Sequence, residues 1–286
     1  MALPSSLYVV FGFAAGALLL SWVYFRRYQL ARPPIGVFGL GDVLVMIGAI
    51  ILIPFLYLAL PLWLVTGLLA VAMLSLLYFT LEPVLRSALA TWLVVLLLLG
   101  INIWSNLWLG AHSPLFLLWN NTVLALAVVG ATNLWAQGGM KARDVTVLAG
   151  VLAIYDLIAT ALLPLMGEMF VRLASMPFAP LVSWGARSQQ LSIGLGDLLI
   201  MSAFALVMYK AFGRSAGLVA VALNLVVLAA LLTLLVLGNV PVIVPAMTVL
   251  GPLMVVQYLY WFLRRSPERT THQYLQAERV AKPRRS

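Results

Sequence analysis

Between Asp42 and Glu82, and again between Arg86 and Lys141, the chain carries no Asp, Glu, Lys or Arg. Each run exceeds the ~20 residues with which one helix crosses a hydrocarbon layer, so each has to turn back on itself. Leu60-Pro61 is the turn expected in the first run, and the polar, aromatic and helix-breaking residues at 105–114 mark the second. A soluble core cannot hide that much unbroken apolar chain. With 64% of residues hydrophobic and 9% charged, against roughly one half and one quarter in soluble domains, a polytopic membrane protein is expected.

Charged and helix-breaking residues divide the remainder in the same way. The first span is expected at 7–25, ended by Arg26-Arg27. Spans two and three fill the run from 42 to 82, and spans four and five follow at 87–104 and 115–136. After a loop at 138–144, span six is expected at 145–165. A mixed connection, 166–190, leads to span seven at 191–212, with spans eight and nine at 217–237 and 241–263. The fold class is then an all-α membrane protein with nine transmembrane helices. This count puts Arg26, Arg27, Arg32, Arg86, Lys141, Arg143, Lys210, Arg214 and the basic tail on one side, and leaves only Arg172 and Arg187 on the other. By the positive-inside rule the N-terminus is outside and the C-terminus cytoplasmic.

The net charge of +9 thus comes from segment ends, which suits topology and anionic headgroups rather than nucleic acid. Cysteine is absent, so neither a disulfide nor a thiolate metal site can form. His112 and His272 stand far apart without clustered ligands, and no metal or cofactor is expected. A cleavable signal peptide is not expected either. Residues 1–6 carry no basic side chain, and the apolar run behind them is long enough to span.

Carboxylates inside spans are expensive and mark functional positions by default. Glu82, Asp144 and Glu168 fall at segment ends or in the connection, and Glu268 and Glu278 in the tail, where solvated charges are ordinary. Asp156 and Asp197 are different. They sit about eleven residues into span six and about six into span seven, roughly 13 and 9 Å below one outer face at ~1.5 Å per residue. Antiparallel neighbours carrying them can bring them together. Asp42 ends a second copy of the same tetrapeptide, Gly39-Leu40-Gly41-Asp42, but opens span two from the opposite side and reads as a partner of the helix N-terminal dipole. Gly194 and Gly196 remove side chains where a substrate backbone has to approach a carboxylate. Pro241 and Pro245 leave irregular backbone at the start of span nine, which a membrane tolerates only inside protein or beside water.

Tyr155-Asp156, Gly194-Leu195-Gly196-Asp197 and Pro245-Ala246-Met247, each in its own late span, resemble the GxGD intramembrane aspartyl proteases: presenilin, signal peptide peptidase and their microbial homologues. Those proteins have nine spans, with YD in the sixth, GxGD in the seventh and PAL at the start of the ninth. Met247 stands here in place of the Leu, a nearly volume-conserving change. The resemblance covers 145–263 and implies a presenilin-like fold with Asp156 and Asp197 as catalytic pair. Tyr155, Gly194, Leu195 and Gly196 would then shape the site, with Pro245, Ala246 and Met247 packed beside it. It also divides the chain into a five-span scaffold at 1–144, catalytic spans at 145–263 and a basic cytoplasmic tail at 264–286.

The expected orientation is that of signal peptide peptidase, which implies signal-peptide-like or type II membrane protein substrates, cleaved in the bilayer without a cofactor. A compact chain without an organelle signal suits a prokaryotic plasma membrane, and a homo-oligomer is left open. Two other readings of the same carboxylates also stay open. Buried Asp pairs serve proton-coupled transporters, and prepilin peptidases share GxGD but cut at the cytoplasmic boundary.

Overall fold

The computed structural model describes residues 4–30, 38–163, 165–186, 190–238, 246–265, 267–269 and 273–274. Its helices, in chain order, are α1 Ser5–Arg27, α2 Leu40–Ala59, α3 Leu62–Leu85, α4 Ala88–Leu109, α5 Pro114–Gln137, α6 Ala142–Leu157, α7 Leu165–Leu173, α8 Leu195–Phe212, α9 Arg214–Leu237 and α10 Ala246–Arg265. Among the described residues, eight helices are long and apolar enough to cross a membrane, or nine if α6 and α7 form one bent span. The chain is a helical membrane protein.

Local chemistry explains the turns. Leu60 is extended (φ −80°, ψ 150°), the conformation a residue before proline prefers, so α2 stops there and Pro61 starts α3. Ser113 accepts the Phe116 N–H at 3.2 Å and Pro114 takes the first position of α5, where its missing amide costs nothing. The expected second turn is therefore real, although α4 continues to Leu109 before it.

The core is built around α5 and α8. They pack on each other, with α1, α3 and α4 around α5 and α1, α6, α9 and α10 around α8. Almost every residue of α8 from Leu198 to Phe212 is buried. By contrast α2 is largely exposed and leans mainly on α6 and α7.

Span six departs from the expected straight helix at 145–165. A single π-helical turn, Ile158–Leu162, follows α6, and α7 leaves at 86°. Leu163 is extended (φ −120°, ψ 132°), which the following Pro164 in the sequence demands. The expected connection at 166–190 holds α7 and a strand. Leu181–Trp184 (β1) pairs antiparallel with Leu191–Gly194 (β2), in the register Leu181 to Gly194 and Ser183 to Ser192. Span seven thus begins as a strand and becomes helical only at Leu195.

Lys210, counted among the basic residues at the cytoplasmic end of span seven, lies within α8 with 1% of its surface exposed. Its Nζ donates to the Ala136 carbonyl at 2.8 Å and the Met140 carbonyl at 2.5 Å, a cation on the final carbonyls of α5 and the loop behind it. Nearby, Glu268 accepts the Ala142 N–H at 2.8 Å, while Arg265 donates to the Phe212 carbonyl at 2.7 Å. The start of the tail thereby joins the first turn of α6 to the last turn of α8.

Candidate active site

The two Gly-Leu-Gly-Asp copies have one local meaning. In each, the first glycine is the cap residue of a helix and the aspartate its third residue. Asp42 accepts the Gly39 N–H at 2.8 Å, and the Asp197 carboxylate likewise reaches the Gly194 N–H. Asp144 does the same for Lys141 at 3.0 Å. An aspartate here satisfies an amide the helix leaves unpaired and sits favourably on the N-terminal dipole. A Cβ on Gly194 would stand 3.2 Å from Asp197 Oδ2, so glycine gives the carboxylate room to fold back.

Asp156 has a different environment. It lies in the last turn of α6, where Oδ2 accepts the Met247 N–H of α10 at 3.1 Å and Oδ1 accepts the Thr160 hydroxyl at 3.4 Å. The Thr248 amide is also within reach. Asp156 therefore caps the start of α10 from another helix. Close packing makes this possible, because a Cβ on Gly251 would come within 2.6 Å of the Ala149 carbonyl oxygen and 2.7 Å of Ala153 Cβ. Only glycine lets α10 lie so near α6.

The end of α6 and the start of α8 fall on one side of the bundle, and Asp156 and Asp197 come close enough to feel each other's charge. Ala246 and Met247 are buried beside them. The Leu195 N–H bonds the Pro180 carbonyl at 2.9 Å, which ties the helix start to the hairpin. Gly196 is exposed, and a Cβ there would meet nothing within 4 Å among the described residues. Tyr155 sits next to Asp156 but turns its hydroxyl to the Ile51 carbonyl of α2 at 3.5 Å. Pro245 lies outside the described residues, as do Pro241, Arg187 and His272. Asp42 serves its own helix at the start of α2.

The hairpin was missed in the sequence, although Leu191-Ser192-Ile193-Gly194 alternates as a strand should and Ile193 is buried while Ser192 is exposed. Its backbone alternation follows from its partners. Ser183 turns its N–H and C=O to Asn121 of α5 at 3.0 and 2.9 Å, and Leu181 its C=O to Asn120 at 3.3 Å. Ser183 and Ser192 therefore form a non-hydrogen-bonded pair, with their hydroxyls 2.8 Å apart. By the same alternation Ser192 turns its N–H and C=O to the outer edge of β2, while the Gly194 carbonyl, at the cap position, accepts the first bond of α8. That edge runs directly into Asp197. Compared with known proteins, the chain matches no family model and no curated relative.

Proposed function

We propose that the chain is an intramembrane aspartyl endopeptidase of the presenilin and signal peptide peptidase type, with Asp156 and Asp197 as its dyad. The observation that carries this reading is their placement: two aspartates, each the one carboxylate of its apolar segment, stand on packed helices within range of each other's charge, beside a strand edge that pairs with no second strand among the described residues. Two carboxylates in one desolvated place hold a single proton between them. The ionised one takes a proton from water as the water oxygen adds to the scissile carbonyl carbon, and the protonated one gives its proton to the carbonyl oxygen. When the tetrahedral intermediate collapses, the C–N bond breaks and the leaving nitrogen takes up a proton, giving an acid and an amine. The pair titrates as a unit, so neither residue owns either role.

A transmembrane substrate helix must unwind to expose its carbonyl. Pairing of the unwound segment with Ser192 on β2 would hold it extended next to the dyad. Nine spans (α6 and α7 counted as one), an outside N-terminus, a cytoplasmic C-terminus and a prokaryotic plasma membrane belong to the same proposal, as do signal-peptide-like or type II substrates. The basic-loop asymmetry supports that orientation.

The test is turnover of a membrane-embedded reporter by the purified chain in lipid. Asp156→Asn and Asp197→Asn should each abolish it, and unchanged turnover in either variant would sink the proposal. The helix-start bonds of both carboxylates favour a second reading, in which they are caps and nothing more. That reading expects no turnover by the unaltered chain, and a stability loss of about 1 kcal/mol for each Asp→Ala.

A further inference from the structure

Three buried asparagines on the scaffold helices spend their hydrogen bonds on the segment leading to the site. Asn121 is fully buried in α5 and grips one residue of β1 twice, donating to the Ser183 carbonyl and accepting its N–H. Asn120, also buried, donates to the Ala179 carbonyl at 3.0 Å and to that of Leu181. Asn102 of α4 accepts the Phe178 N–H at 3.0 Å and donates to Asn120 Oδ1 at 3.3 Å.

A helix cannot complete a strand edge with its own backbone, because its amides and carbonyls are already paired within it. The outward N–H and C=O groups of β1 would then be left unpaired in an apolar interior, at a high cost. A primary amide side chain carries a donor and an acceptor in peptide-like geometry, so Asn is suited to this place where Ser or Thr is not. The two-point bond between Asn121 and Ser183 is the bond pattern that a neighbouring strand would provide.

We propose that Asn121, supported by Asn120 and Asn102, is a positioning residue for the dyad, standing in for a third strand on the outer edge of β1. Ser183 is tied to Ser192 through their hydroxyls, Leu181 faces Gly194, and Pro180 holds the Leu195 N–H. Anchoring Ser183 and Leu181 to α5 therefore sets the height of Gly194 and of Asp197 three residues later. It also closes β1 to any other strand and leaves β2 as the edge on which a substrate can add. A slip of one residue would turn Ile193 out and Ser192 in, so the anchor protects both the register and the cut position.

The effect on catalysis rests on the endopeptidase reading; the effect on hairpin and dyad geometry does not. The experiment compares the full chain in lipid nanodiscs with Asn121→Leu, and with Asn120→Ala as the milder variant should Asn121→Leu fail to fold. Three quantities are read: amide hydrogen exchange across 181–184, disulfide yield of an Asp156→Cys/Asp197→Cys pair in this cysteine-free chain, and kcat, KM and cut position on a membrane reporter. Loss of the anchoring bond should speed exchange of the Ser183 amide about tenfold, lower the disulfide yield, lower kcat more than it raises KM, and spread cleavage over neighbouring bonds. Unchanged Ser183 exchange overturns the proposal, and so does faster exchange with disulfide yield and cut position as in the parent. If the parent cleaves no reporter while the variant still lowers the disulfide yield, the endopeptidase reading falls and the positioning role stands.

Discussion

Asp156 and Asp197 each bind a helix start, and that accounts for how charges at this depth are held in one geometry. The Met247 amide and the Thr160 hydroxyl fix the Asp156 carboxylate, and the Gly194 amide fixes that of Asp197. Asn keeps an acceptor oxygen at these positions, so Asp→Asn should remove turnover while leaving the fold intact. Asp42 offers the control, since it makes the same local bond far from the dyad. Asp42→Ala should weaken the start of α2 by about 1 kcal/mol in thermal unfolding and leave turnover at the parent level. Turnover by a dyad that needs one carboxyl ionised and the other protonated falls on both sides of an optimum. On the acid side the ionised group takes a proton, and on the alkaline side the shared proton is lost. A pH–rate profile that climbs to a plateau would contradict the dyad. At this scale the sequence was legible for Asp156 and Asp197 as isolated intramembrane charges. It was not legible for Asn121, because a polar residue in an apolar run reads the same whether it faces a strand edge or another helix.

Among the elements, the contact between α6 and α10 decides whether the site exists. Gly251 lies against Ala149 and Ala153, and the same approach brings the Met247 amide to Asp156. Gly251→Leu should drive the helices apart, lower the thermal midpoint by several degrees, as a loss of about 1–3 kcal/mol from overpacking requires, and cut the Asp156–Asp197 cross-link yield. Normal cross-linking in that variant would show that the closeness of α6 and α10 does not set the dyad. Helix bounds were largely readable, because proline and serine punctuate α2, α3 and α5 in ways that depend on neighbours in sequence alone. The break after Asp156 and the hairpin before Asp197 were not. Apolar strand residues beside a long apolar helix look like more of that helix, and a four-residue alternation is too short to stand out.

At the scale of the molecule, charge carries the argument for orientation and the tail carries the link between the two site helices at their other ends. Glu268 on the Ala142 amide and Arg265 on the Phe212 carbonyl join α6 to α8 at the end away from the dyad. Single cysteines placed in this cysteine-free chain can be labelled from either face. Pro177→Cys should react with an impermeant reagent added outside intact cells, and Arg284→Cys only after permeabilisation. The reverse pattern would invert the proposed orientation and with it the expected substrate class.

The sequence by itself determined the membrane class, the turns at Leu60-Pro61 and Ser113-Pro114, and the isolation of Asp156 and Asp197 in separate apolar segments. Those follow from hydropathy, charge and local backbone chemistry, which act within a few residues. Only the tertiary structure decided that the helices carrying the two carboxylates pack together, that Asp156 caps α10, that Lys210 is buried, and that an asparagine on α5 bonds the backbone of β1. Each of these is a contact between segments distant in the chain, and it depends on how closely helices approach. The hydropathy pattern does not encode that approach, because lipid and protein interior are equally apolar to it.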